Sequence, residues 1–182
     1  MKNGKIILLV IGLILLVVGS TYAIYTWRGK SVIKGDFECF DVNYTKGREI
    51  GSNENKATLE LGSSALDGLS STMEVSLNDK CSITVGSGTL YLDVDSTTSD
   101  ILITSGILKY QVVYGNNFIS EGVVSVKGRN IVAEDIRITD NVMPITVVVW
   151  LDSDIVNDSN EEAILSSTFS GKINIKVESR RA

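Results

Sequence analysis

Histidine is absent from this chain of 182 residues. Because histidine is the commonest general base, its absence excludes the serine and cysteine triads that depend on it and the paired-histidine motifs of zinc proteases. A phosphate-binding loop is absent too, since GSGTLYL at 86–92 has neither the lysine nor the following helix that such a loop needs. Adjacent carboxylates such as Glu161 and Glu162 are ordinary on a solvated loop and do not indicate a glycosidase. We therefore expect a protein that is not an enzyme.

Basic residues are scarce beyond the N-terminus. Residues 29–182 carry 14 Lys and Arg against 22 Asp and Glu, a net charge of −8. A domain of that charge is repelled by nucleic acids and by anionic lipid headgroups. We expect no nucleic-acid partner.

Charge is missing altogether from residues 6–27. As a helix these 22 residues would extend about 33 Å, enough to cross a hydrocarbon core of about 30 Å. Lys2 and Lys5 precede the run, so the positive-inside rule leaves the N-terminus in the cytoplasm and exports the rest. The sequence predicts an N-terminal hydrophobic helix within residues 1–28, followed by one extracytoplasmic domain at 29–182.

Two interpretations of residues 1–28 stay open. As a signal peptide, the segment has small residues before a cut between Ala23 and Ile24. As a signal anchor, it ends in Tyr22, Tyr25 and Trp27, which are typical of an interfacial aromatic belt. The first interpretation predicts a secreted protein, and the second predicts a cell-surface protein whose partner is the membrane around its uncleaved helix.

Cysteine occurs only twice, at Cys39 and Cys81. Two cysteines in an exported domain favour one disulfide, with two buried thiols as the alternative. Closing a loop of about 42 residues would stabilise the fold by about 4 kcal/mol. Structural zinc is not expected, because two thiolates without histidine fall short of its four ligands.

Nearly every ordered segment of residues 29–182 reads as a β-strand. Alternating apolar and polar residues, separated by turn-forming residues, indicate strands with one buried face. The ten predicted strands are 37–44, 57–61, 72–77, 81–85, 89–94, 107–114, 122–128, 131–138, 145–151 and 172–177. With a single proline and at most one short helical turn, within 154–166, the pattern predicts an all-β, two-layer antiparallel sandwich. The run at 145–151 is apolar on both faces, so we expect a central strand with Trp150 in the core.

The acidic loop after that central strand is the one candidate metal site. Asp152 and Asp154 have the spacing that begins a calcium loop, and Asp158 follows. An EF-hand needs Gly at its sixth position and Glu at its twelfth, where this chain has Asn157 and Ala163. A solvated turn is the favoured interpretation, so we expect no cofactor, with calcium as the candidate to check. The segment 93–100 is a second, lesser candidate.

Four tyrosines fall on predicted strands, at Tyr44, Tyr91, Tyr110 and Tyr114. Tyrosine on a strand usually packs against its cross-strand neighbours. If the four were aligned on one exposed face, they could instead stack on sugar rings.

Several segments resemble those of small exported β-sandwich proteins of Gram-positive bacteria: STYAIYTW, CFDVNYTKG, VVVWLDS and TFSGKINIKV. More distantly, the chain is similar to the camelysin family, which includes the fibre subunit of the bacillar biofilm matrix. The resemblance implies a jelly-roll-like sandwich, export by a signal peptide, and assembly in which one subunit donates an N-terminal strand to the next. Residues 24–34 would be that strand, freed by cleavage after Ala23. The metalloprotease activity credited to camelysin finds no residues here to which it could be carried over.

Two hypotheses for function follow. The first is a non-enzymatic structural or assembly protein of the bacterial cell surface or matrix, which self-associates by donor-strand addition. The alternative is a membrane-anchored ectodomain that binds a glycan or a partner protein.

Overall fold

Alternation of apolar and polar residues folds most of the described chain into strands. The computed structural model describes residues 39–45, 48–50, 59, 61–79 and 82–179, so the predicted N-terminal helix at 1–28 lies outside the described residues. The strands are β1 (Phe40–Tyr44), β2 (Glu49–Ile50), β3 (Leu61–Gly62), β4 (Leu69–Leu77), β5 (Gly86–Val94), β6 (Leu108–Tyr114), β7 (Asn117–Val123), β8 (Gly128–Ile138), β9 (Met143–Asp152) and β10 (Gly171–Ser179). Two short helices, α1 (Asp100–Thr104) and α2 (Glu161–Leu165), and 3₁₀ turns at Ala65–Asp67 and Ser153–Ile155 complete the elements.

The strands form two sheets. Sheet one has the order β1-β4-β9-β6-β7, and β3 adds to β9 in parallel. Sheet two has the order β2-β10-β5-β8, and the remaining pairs in both sheets are antiparallel. The predicted all-β architecture with two antiparallel sheets is confirmed, and β9 is central in sheet one as expected. Within the described residues, no helix has the length and hydrophobicity needed to span a bilayer.

The core lies between the two sheets and is built from alternate residues of each strand. In sheet two, Leu92 of β5 lies opposite Ile173 of β10, and both side chains are fully buried. In sheet one, Ile145 and Val147 of β9 are fully buried beside Met73 of β4. All of these residues belong to one continuous apolar cluster. The period-two alternation of the sequence therefore predicts which face of each long strand is inside.

Helices α1 and α2 contact one another at one end of the core. Each contributes one buried aliphatic side chain, Leu102 from α1 and Ile164 from α2. The Thr168 amide donates to Ser99 Oγ at 2.9 Å and joins the two helical segments. The expected helical turn within 154–166 is confirmed, whereas α1 was not predicted.

The predicted strand at 81–85 is wrong over its described residues 82–85, and β5 starts instead at Gly86. The GSG sequence at 86–88 is typical of a turn, yet Gly86 and Gly88 are strand residues paired with β10. Their lack of a side chain serves close packing, because a Cβ at Gly86 would lie 2.3 Å from Phe40 Cε1. A glycine that would indicate a turn in the sequence here allows the Phe40 ring of sheet one to lie close to the backbone of sheet two.

The predicted strand at 122–128 is also misplaced. The strand in this region is β7, which runs from Asn117 to Val123 and forms a hairpin with β6 around Gly115. Gly115 has a φ of 61°, which glycine adopts without strain. Residues 124–127 cross from sheet one to sheet two. Of the predicted strand at 57–61, residue 59 is not in a strand and Leu61 begins β3, while the two-residue β2 was not predicted.

Trp150 is buried, with 5% of its surface exposed, but on the side of sheet one away from the core. Its strand neighbours Val149 and Leu151 face the core, and the strand alternates. The turn Ala65–Asp67 contacts β9, and the Cβ that Gly68 lacks would lie 3.2 Å from Trp150 Cβ. Trp150 is therefore buried as expected, but a short segment outside sheet one covers it, and it does not belong to the continuous apolar cluster between the sheets.

Candidate functional site

The first candidate surface is the free edge of sheet one, which we call the β7 edge and define as Asn117–Val123. β7 pairs with β6 on one side, and no strand among the described residues pairs with its other side. Three of its apolar side chains face solvent, with exposed fractions of 60% for Phe118, 37% for Ile119 and 43% for Val123. An exposed apolar edge is an open template for another strand.

The other edges of the two sheets differ from the β7 edge. β8, the last strand of sheet two, has two register shifts against β5 and a left-handed residue, Asp135, and exposes Arg129, Glu134 and Arg137. Bulges and exposed charges are devices that discourage pairing. β2 is two residues long, and β1 exposes two polar residues along its five. The β7 edge also has one bulge and one charge, Glu121, but it is the described edge that exposes three apolar side chains, which favours it as the acceptor of a strand.

The second candidate surface is a groove across one end of sheet two, which we call the charged groove. It has a volume of about 660 Å³. Its lining residues are Glu49, Asp93, Val94, Asp95, Gly128, Arg129, Ser170, Gly171 and Lys172. Strand pairing creates it: Lys172 lies opposite both Glu49 and Asp93, and Asp93 lies opposite Arg129. One row of side chains with alternating sign therefore crosses all four strands.

Asp93 is the centre of the hydrogen bonding in the charged groove. Arg129 Nε donates to Asp93 Oδ1 at 2.9 Å, and Asn174 Nδ2 donates to Asp93 Oδ2. Burial alone would raise the pKa of the Asp93 carboxyl, but the hydrogen bond and charge of Arg129, helped by Asn174 and Lys172, hold it below its ordinary value. Asp93 is therefore ionised at neutral pH.

Beside the groove, the outer face of sheet two carries a flat, partly apolar area. The Arg129 guanidinium stacks over the Tyr91 ring at 4.9 Å from its centre. Ile131, opposite Tyr91, is 53% exposed. Tyr110 and Tyr114 pack against the core instead, and Tyr44 is buried, so the four predicted tyrosines do not share one exposed face.

Two buried polar atoms, Arg48 Nε and Asn174 Oδ1, lack a hydrogen-bond partner among the described residues. The Arg48 guanidinium lies 5.3 Å from the centre of the Tyr44 ring. Burial raises the pKa of Tyr44, the charge of Arg48 and a hydrogen bond with the Ile175 backbone oppose the rise, and the negative charge of Asp93 adds to it. The side chains of Tyr44, Arg48, Asp93 and Asn174 thus form one polar cluster next to the charged groove. Buried polar atoms without partners are uncommon in folded proteins.

The predicted cleavage site, Ala23 and Ile24, lies outside the described residues. Cys39 is described, packs against the core, and accepts a 2.8 Å hydrogen bond at its carbonyl from the Asn78 amide. Cys81 also lies outside the described residues, so the disulfide stays a prediction. The bond to Asn78 does bring Cys39 close to the segment that leads to Cys81.

The three candidate calcium ligands are not gathered into a metal site. Asp152 forms an ion pair with Lys109 at 3.1 Å and accepts a 3.1 Å hydrogen bond from the Asp154 amide. The hydrogen bond from Lys109 lowers the pKa of Asp152. Asp154 and Asp158 are exposed. In the described part of the chain, no three His, Cys, Asp or Glu side chains are grouped so that they could hold a metal ion.

Sequence reasoning missed the residues that define both surfaces. Phe118 and Ile119 lie between the predicted strands 107–114 and 122–128, so the sequence pattern places them in no strand. Arg129, Lys172 and Asn174 are ordinary polar residues in the sequence, and only strand register brings them to Asp93. The one available signal is the group of three aspartates within 93–100, Asp93, Asp95 and Asp100, which the sequence offers as the lesser calcium candidate.

The chain matches no known family model, and a search of curated proteins found no match either.

Proposed function

We propose that this protein is a non-enzymatic, exported structural subunit of a bacterial cell surface or matrix that assembles by strand addition. Residues 24–34 of one copy would add to the β7 edge of the next. The observation that carries this proposal is the exposed apolar edge, with Phe118 60% and Ile119 37% exposed.

Strand addition has a physical basis in the open edge. An unpaired strand presents N–H and C=O groups that an added strand can satisfy, while its side chains supply apolar contact. Such an exchange joins different surfaces of the two copies, so it continues into a chain of subunits instead of closing as a dimer. We also propose that the strands of the two sheets are connected as in a jelly roll.

Charge complementarity also favours residues 24–34 as the added strand. The segment IYTWRGKSVIK contains Arg28, Lys30 and Lys34 and no acidic residue. The part of the chain that would receive it, residues 35–182, has 12 Lys and Arg against 22 Asp and Glu, a net charge of −10, and the β7 edge itself carries Glu121. Opposite charges bring the partners together and oppose pairing of two acidic β7 edges.

Export and processing complete the proposal. Residues 1–28 direct the chain out of the cytoplasm, and cleavage after Ala23 releases the donor segment. A Cys39–Cys81 disulfide is compatible with the oxidising exterior. If cleavage does not occur, the N-terminal helix keeps the protein in the membrane.

The test compares two substitutions of similarly exposed apolar residues. Phe118→Lys places a charge on the β7 edge, whereas Leu165→Lys, at a residue 64% exposed, places it on α2. Each chain is exported from a bacterial host and analysed by sedimentation and electron microscopy over a range of concentrations. We expect wild type and Leu165→Lys to form polymers as concentration rises, and Phe118→Lys to remain small. Monomers at every concentration, or equal assembly of all three proteins, would refute strand addition at β7.

A tethered ectodomain that binds a ligand is the second candidate, and the charged groove supports it. An intact Met1 in the membrane fraction, with a monomeric domain, would favour this candidate over assembly.

A further inference from the structure

We propose that the charged groove is a binding site for neutral saccharides. The site is independent of strand addition, because it lies on sheet two and the β7 edge belongs to sheet one. Its principal groups are Asp93, Arg129 and Lys172, with Asn174 against Asp93.

The balance of charge in the groove favours a neutral ligand. Three carboxylates, from Glu49, Asp93 and Asp95, alternate with the cations of Arg129 and Lys172. An anionic ligand would meet the carboxylates, and a cationic ligand would meet the guanidinium and ammonium groups. A hydroxyl group both donates and accepts hydrogen bonds, so a ligand rich in hydroxyls can satisfy both kinds of partner without carrying charge.

The shape and composition of the groove agree with a saccharide. Its volume of about 660 Å³ is in the usual range for ligand sites. Apart from two glycines and Val94, all of its lining residues are polar or charged. The position of a Cβ at Gly128 is open space, whereas a Cβ at Gly171 would lie 2.8 Å from Phe169 Cζ. The neighbouring Tyr91 and Ile131 provide an apolar area for the C–H face of a sugar ring.

An independent observation comes from Asn174. This residue is 8% exposed, its Nδ2 donates to Asp93, and its Oδ1 has no partner among the described residues. The amide therefore lies against the carboxylate that lines the groove, with one acceptor unused. Arg48 Nε, in the adjoining polar cluster, is a buried donor in the same situation. A hydroxyl entering beside Asp93, as the exposed Arg129 side chain moves aside, would donate to the carboxylate that Asn174 also contacts.

The test is calorimetric titration of the full chain in a detergent without a sugar headgroup. The probes are cellohexaose, hexa-N-acetylchitohexaose and maltohexaose, with oligogalacturonate as the anionic comparison. We expect at least one neutral hexasaccharide to bind with roughly millimolar affinity or better, as suits an open site. If no neutral probe binds in that range, or if oligogalacturonate binds more tightly than all of them, the proposal is overturned.

Matched variants locate the binding. Arg129→Met and Lys172→Met remove groove cations, whereas Arg137→Met removes an exposed arginine from the same strand as Arg129, outside the groove. We expect at least one groove variant to weaken binding by about tenfold, the value of one charge-assisted hydrogen bond, and Arg137→Met to leave it unchanged. If both groove variants bind with the affinity of wild type, the site is contradicted. It is also contradicted if Arg137→Met weakens binding as much as the groove variants do. Phe118→Lys is expected to bind like wild type, which separates this test from that of assembly.

Discussion

Replacing Leu92 with alanine tests whether β5 has the register on which both the core and the charged groove depend. Leu92 is fully buried, lies opposite Ile173, and is followed directly by Asp93 of the groove. Truncating a fully buried leucine typically costs about 2–5 kcal/mol, because apolar contact is lost and a cavity remains. We expect a loss of about 3 kcal/mol, a large part of the 5–15 kcal/mol that is usual for a folded domain.

The matched control is Ile131→Ala on the neighbouring strand. Ile131 lies opposite Tyr91 on the outer face of the same sheet and is 53% exposed. Because most of its side chain is already in water, we expect its truncation to cost less than about 1 kcal/mol.

Urea unfolding followed by circular dichroism measures both variants. With a slope of about 2 kcal/mol per M, Leu92→Ala should lower the midpoint by roughly 1–2 M and Ile131→Ala by less than about 0.5 M. A shift for Leu92→Ala as small as that for Ile131→Ala would mean that β5 does not present Leu92 to the core, since a slip of one residue exchanges the faces of a strand.

Three further predictions concern other parts of the described fold. Gly68→Ala should destabilise the protein by about 1–3 kcal/mol, because the new Cβ would lie 2.6 Å from Val148 Cγ1 and 2.7 Å from the Val149 carbonyl oxygen. Ser63→Ala, at an exposed residue, is the control, and both variants are compared by thermal unfolding. Equal thermal midpoints for the two variants would contradict the packing over Trp150. Because folding lowers the pKa of Asp93, its carboxylate stabilises the fold above pH 3.8, the ordinary pKa, and this stabilisation is lost as pH falls through the lowered pKa. Asp93→Asn should therefore reduce stability at pH 7 and make the melting temperature less dependent on pH in acid. An unchanged acid slope would refute this. Cys39 and Cys81 should resist alkylation until reduced, and reduction should cost about 4 kcal/mol; labelling of both thiols without reductant, as shown by mass spectrometry, would exclude the disulfide.

The sequence predicted the long central strands well, for a physical reason. In β5, β9 and β10 one face is buried along the whole strand, so burial imposes a period of two that the residues display. Trp150 shows the limit of this argument. An apolar run with both faces covered predicts burial, but it does not say whether the core or an external segment covers a given side chain.

The errors arose where one residue type serves two purposes. Glycine marks turns, yet Gly86 and Gly88 are in β5 because neighbouring side chains leave no room for a Cβ. β7 escaped prediction because both of its faces are largely exposed, so no alternation was imposed on it. The charged groove could not be predicted at all, since Glu49, Asp93, Arg129 and Lys172 come from four strands and meet only through the register of sheet two.

Strand addition is the central claim, and carbodiimide cross-linking of the assembled protein tests it most directly. Equal amounts of unlabelled and ¹⁵N-labelled protein would be mixed as monomers, assembled and cross-linked, so that mass spectrometry separates links between copies from links within one copy. The account predicts links between copies that join Glu121 of the β7 edge to Lys30 or Lys34 of the donor segment. Links from these lysines to Asp41 of β1 instead, or links found only within single copies, would contradict it.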